Sequence, residues 1–184
     1  MTANLEAGPA VIRGCYTGLM PSPTADPGSS TRVVRRVNAP PNVVYRALLD
    51  GDAVQKWRVP VAMTSRVHEF DAREGGRFRV SLTYDAPTGG GKTSAQTDTY
   101  HGHFAKLVPD ETIVEVIEFE SDDPAMRGEM TITTTLRAMD GGTEIVGVHE
   151  GLPSGVKPED NETGWNEAFD RLAALLEAGW TPRP

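Results

Sequence analysis

The stretch Gly164–Gly179, GWNEAFDRLAALLEAG, decides the fold. Trp165, Ala168, Phe169, Leu172, Leu175 and Leu176 recur at intervals of three and four, so a helix carries them on one face. Asn166, Glu167, Asp170, Arg171 and Glu177 fall on the other side, with Glu167 four residues before Arg171 as a supporting pair. Gly179 suits the left-handed position that follows a helix. Trp180 would then fold back on Leu175, and Pro182 prevents continuation. An apolar stripe this wide has to be covered.

The cover is a set of strands. Residues 31–39, TRVVRRVNA, are β-branched and free of breakers until Pro40-Pro41, a pair that suits the first turn of a helix. NVVYRALLD reads as a short helix ending at Gly51, and DAVQKW as a second one stopped before Pro60. Strand patterns follow. VAMTSRVHEFD leads through Gly75-Gly76, a tight hairpin that needs positive φ, into a stretch where Phe78, Val80, Leu82 and Tyr84 alternate with polar residues. TDTYHGHFAKL and TIVEVIEFE are joined at Pro109-Asp110. EMTITTTLRAM and TEIVGVHEG are joined by DGG, with Met130, Ile132, Thr134 and Leu136 on one face. A loop containing Pro153 and Pro158 precedes the long helix. The fold class is α+β, with helices over one face of a curved antiparallel sheet of about six to seven strands.

Residues 1–30 stand apart. MPSPTADPGSS is rich in Pro, Ser and Gly and buries little, so these residues form a flexible arm, and residues 31–184 form a single domain. Cys15, the one cysteine, has no partner within the chain. Together with a start that lacks a basic segment followed by an apolar run, this predicts a cytoplasmic protein. No apolar run is long enough for a membrane span. With 26 acidic against 18 basic residues and a net charge of −8, nucleic acid is a poor partner, since such binding rests on neutralising phosphate. Edge strands and the apolar part of the arm would permit a homodimer.

In this order, RRVNAPPNVVYRALLDGDAVQKW, FDAREGGRFRV, YHGHFAKLVPDETIVEVIEFE, TTTLRAMDGGTEIVGVHEGLP and GWNEAFDRLAALLEAG resemble the Activator of Hsp90 ATPase homologue 1-like family. That family lies within the START/Bet v 1-like (SRPBCC) superfamily, and the resemblance covers about residues 32 to 179. It implies a helix-grip fold: a long C-terminal helix across a curved sheet, often with a cavity between them. It also implies that the chain holds a small apolar or amphipathic molecule. A role as partner of a chaperone is implied less directly, because the eukaryotic activators carry a separate N-terminal domain that residues 1–30 cannot form. The family has no shared catalytic residues.

Candidate ligand-binding residues are those at inward positions: Trp57, Phe78, Tyr84, Trp165 and Phe169 as aromatic walls, and Thr134 and His149 as polar points. A buried polar group needs a partner from protein, water or ligand. His149 ends its strand just before EGLP, and Gly147 beside it would leave room under the helix. Aromatic burial alone also makes a core, at about 1.5–3 kcal/mol per side chain.

Other motifs are weaker. APTGGGKT, residues 86–93, fits a relaxed phosphate-loop pattern but no helix follows it, so it reads as a hairpin loop that could cover a cavity mouth. His101 and His103 share a strand face, yet no spacing selects the further ligands a zinc site wants, so neither metal nor cofactor is expected. For an enzyme, His149 with Glu115 or Glu118 would be the acid–base candidates, by fold-level analogy alone.

Overall fold

The computed structural model describes residues 29–86 and 90–181. Its elements run β1 (Thr31–Val37), α1 (Pro41–Leu48), α2 (Gly51–Trp57), β2 (Met63–Phe70), β3 (Arg77–Tyr84), β4 (Thr97–Val108), β5 (Thr112–Phe119), β6 (Met130–Met139), β7 (Gly142–Glu150) and α3 (Pro158–Glu177). Cys15, Pro182 and all but the last two residues of the expected arm lie outside the described residues.

The seven strands make one antiparallel sheet in the order β1-β7-β6-β5-β4-β3-β2. From β2 onward the chain is a meander, and β1 pairs with β7 at the far edge. The helical pair α1–α2 carries the chain from one edge to the other. Bulges at Val67/Glu69 in β2 and Phe104/Lys106 in β4 add local twist, so the sheet curls. Its concave face receives α3, a helix of 20 residues.

The period-two patterns place the core. Met130, Ile132, Thr134 and Leu136 of β6 are all buried while Thr131, Thr133 and Thr135 are half-buried. Gly75, Asp110 and Gly141 take positive φ at the β2–β3, β4–β5 and β6–β7 turns, as tight reversals require. The close of α3 follows its sequence: Gly179 has φ +82, its N–H donates to Leu176 O, and the Trp180 N–H donates to Leu175 O. This pair of bonds is the Schellman arrangement.

Three local expectations change. Gly51 does not end α1; it opens α2, whose preceding Asp50 accepts from the Ala53 N–H at 2.8 Å. A glycine after an aspartate can start a helix as readily as stop one, and here the aspartate cap wins. Pro158 is not in the loop but at the first position of α3, where its missing N–H costs nothing. Finally, Glu167 and Arg171 both reach across to another segment: Glu167 accepts from the Val61 N–H and Arg171 donates to Pro60 O. Backbone groups left free after α2 offer better partners than an exposed pair on one helix.

Candidate functional site

The two halves of α3 meet the sheet differently. Toward its C-terminal half, Phe169 and Leu172 are fully buried. Phe169 lies between Trp57 (6.3 Å between ring centroids) and Trp165 (5.6 Å). The space expected beside Gly147 is filled: a Cβ there would stand 3.3 Å from Phe169 Cζ. This half is solid core. Under the N-terminal half lies a chamber of about 480 Å³. Its walls come from Met63, Leu82, Ile117, Phe119, Met126, Met130, Val156 and Trp165, and its mouth from Val61, Gly90, Lys157 and Thr163. Val61 is 62% exposed at that rim. An apolar hollow of this size with a few polar points suits a small organic molecule.

The polar points begin with Arg58, directly after α2 and 6% exposed. Its Nη1 donates to Glu115 Oε1 at 2.6 Å. Glu115 faces inward because it shares a strand face with Ile113 and Ile117 of β5. The guanidinium carbon sits 4.8 Å from the Trp165 ring centroid, 5.3 Å from that of Tyr100 and 5.8 Å from that of Phe78. Such faces attract a cation. Burial works against the charge on Arg58, but the attraction and hydrogen bond of Glu115 outweigh it and hold the guanidinium above its ordinary pKa. Burial likewise raises the Tyr100 phenol, so it stays protonated at neutral pH. The Nη2 of Arg58 and the hydroxyl of Tyr100 are both sealed from solvent and have no hydrogen-bond partner.

His149 is fully buried behind Trp165, with ring centroids 4.6 Å apart. Its Nδ1 lies 3.0 Å from Thr31 Oγ1 and 2.7 Å from Asn161 Nδ2. With the amide nitrogen as donor, Nδ1 accepts and the ring proton sits on Nε2, which has no partner. Burial first, and the nearby Arg58 charge second, lower its pKa to about 4. At the mouth, Lys92 donates to Asp98 through both its backbone N–H and its Nζ, each at 2.5 Å. Gly90 and Lys92 of the glycine-rich loop therefore border the chamber; residues 87–89 lie outside the described residues.

Of the residues singled out from sequence, Tyr84 and Trp165 line the chamber. Trp57, Phe78, Thr134, His149 and Phe169 are placed in the interior that backs it. Glu115 is internal and bound to Arg58, whereas Glu118 accepts from the Gly128 N–H on the outer side. His101 is exposed beside Glu120, 3.5 Å away, and no group of three or more His, Cys, Asp or Glu among the described residues could hold a metal ion. Arg58, Tyr100 and Asn161 were not singled out. The parity of Glu115 with two isoleucines was the available signal: an inward carboxylate demands a buried cation.

A long helix gripping a curled antiparallel sheet, with a chamber between them, defines the helix-grip class. Comparison with known proteins gives the family. The model of the Activator of Hsp90 ATPase homolog 1-like protein family matches residues 38–177, and the chain belongs to that family. Among solved structures, protein CV1439 from Chromobacterium violaceum is 36% identical, with 80% of this chain and 96% of that one covered and a TM-score of 0.72. A protein from Rhodobacter sphaeroides is 22% identical over 83% of this chain and 95% of its own, with a TM-score of 0.67. Protein MLL2253 from Mesorhizobium loti is 21% identical over 83% and 100%, with a TM-score of 0.62. The last two likenesses speak to the fold alone. No curated protein matches the chain. Among the described residues, no helix is long and apolar enough to cross a membrane.

Proposed function

We propose that this protein binds a small apolar or amphipathic molecule in the chamber beneath the N-terminal half of α3, without transforming it. The observation that carries this reading is the contrast within one helix: Phe169 is locked among rings, while Trp165, one turn earlier, borders about 480 Å³ of space walled by methionine and aliphatic side chains. A protein that needed only a core would gain stability by filling that space. Two internal groups able to act as acid or base are already engaged. Glu115 is held by Arg58, and the His149 Nδ1 by Asn161 and Thr31.

Native mass spectrometry of the purified chain, followed by thermal-shift screening with lipids and polycyclic aromatics, tests the proposal. A retained mass or a saturable rise in melting temperature is expected, and Leu82→Trp, which places a ring in the chamber, should remove it. No bound mass and no shift across both ligand classes would retire the reading.

A second reading rests on the family's description, which names an activator of the Hsp90 ATPase. In that case the domain is an interaction module, and it should raise the ATPase rate of a bacterial Hsp90. No change at saturating protein removes this alternative.

A further inference from the structure

We infer that the chamber's occupant is an uncharged molecule with a carbonyl-type oxygen, held at its inner end by Nη2 of Arg58 and the hydroxyl of Tyr100; this deepens the cavity reading and rests on it. Both residues line the chamber, both are more than nine-tenths buried, and each contributes one polar atom that meets neither solvent nor protein acceptor. A buried donor without a partner carries its full desolvation penalty. Here there are two such donors on adjacent groups, with the guanidinium carbon 5.3 Å from the Tyr100 ring centroid.

The complement of two donors is an acceptor. A guanidinium has no lone pair to offer, and the protonated phenol, which can also accept, brings one O–H that has no acceptor. A carbonyl oxygen brings two lone pairs and no proton, so it has the capacity to accept two hydrogen bonds and adds no further donor. A hydroxyl would bring a proton of its own into a site already rich in donors.

Charge argues for a neutral guest. The lining holds Arg58, Lys92 and Lys157 against Asp98, Asp160 and Glu167, and Glu115 stands behind Arg58 as a further carboxylate. Arg58 is thus already compensated. An anionic guest would place an unpaired negative charge beside Glu115 in a largely apolar chamber, at a heavy desolvation cost. Neither donor atom is exposed to bulk water, so a guest oxygen meets no solvent competitor there.

Three probes of matched shape test the inference on the full chain: benzophenone (a ketone), diphenylmethane (its hydrocarbon) and diphenylacetate (a carboxylate). Benzophenone should bind roughly tenfold tighter than diphenylmethane, the value of one well-made hydrogen bond to a charged or buried donor, and tighter than diphenylacetate. The infrared carbonyl stretch of ¹³C-labelled benzophenone should fall on binding. Tyr100→Phe removes only an unpartnered hydroxyl and keeps the ring, so the fold is not at risk. It should reduce the ketone's advantage several-fold and return part of the stretch shift, with diphenylmethane affinity unchanged. Equal binding of ketone and hydrocarbon, or a Tyr100→Phe protein that keeps both the preference and the shifted stretch, overturns this inference and leaves the cavity reading intact. Tightest binding of diphenylacetate overturns the uncharged guest. Failure of all three to bind overturns this inference, while the cavity reading is decided separately by the lipid and polycyclic-aromatic screen.

Discussion

Arg58 and Glu115, 57 residues apart in sequence, are joined by a 2.6 Å hydrogen bond between Nη1 and Oε1 in an interior ringed by aromatic side chains. Removing one member of a buried ion pair strands the other, which typically costs about 3–5 kcal/mol. Glu115→Ala should lose about that much in urea unfolding, and the Arg58→Met/Glu115→Leu double variant should lose much less than the two single changes added together. A Glu115→Ala protein within about 1 kcal/mol of the parent would show that the pair is not desolvated as described.

His149 predicts a dependence on pH. Its folded pKa is lowered to about 4 by burial and by Arg58, while the unfolded imidazole titrates near 6.5. Between these values the unfolded chain binds a proton that the folded chain refuses. Stability is therefore full above about pH 6.5, falls as the pH drops toward 4, and stops falling from this source below that. Between pH 7 and pH 5 the loss should be about 2 kcal/mol. Urea midpoints measured at both pH values should show this component in the parent and lose it in His149→Gln. A parent and variant with the same pH profile would contradict the assignment.

The packed and the hollow regions beneath α3 should answer mutation differently. Phe169 is wholly buried between Trp57, Trp165 and Gly147, so Phe169→Ala should cost about 3–5 kcal/mol. Leu82 is half-buried on the chamber wall, and Leu82→Trp enlarges into open volume, so its cost should stay within about 1 kcal/mol. Overpacking of a tight core would cost more than that. Chemical denaturation of both variants decides it, and a large loss for Leu82→Trp would mean that the chamber is not free to accept a side chain.

Much of this architecture is written in local pattern. Strand parity placed Met130, Ile132 and Leu136 inward, and Gly75, Asp110 and Gly141 marked the reversals, because period-two alternation and positive φ are properties of a few adjacent residues. The close of α3 at Gly179 was legible for the same reason. Its beginning was not. Pro158 reads equally as a loop residue or a first helical residue, and only the packing of Asn161 on His149 and Thr31 selects the second. The chamber was the least legible feature. Aromatic residues attract attention as ligand walls, yet Trp57, Phe78 and Phe169 went to the packed interior. The walls are largely methionines and aliphatics whose spacing is that of any core. Arg58 reads as an exposed charge after a short helix, and its true setting depends on a carboxylate three strands away in sequence.

The central claim, that the space beneath Trp165 accepts a guest, can be measured on methionine methyl groups. Met63, Met126 and Met130 line the chamber, whereas Met139 is exposed at the end of β6 and does not. In a protein labelled with ¹³C at the methionine methyls, titration with naphthalene should shift the three lining signals together, saturably, and leave Met139 in place. Lining signals that stay fixed to the solubility limit of naphthalene, or that drift no more than Met139 does, would contradict the account.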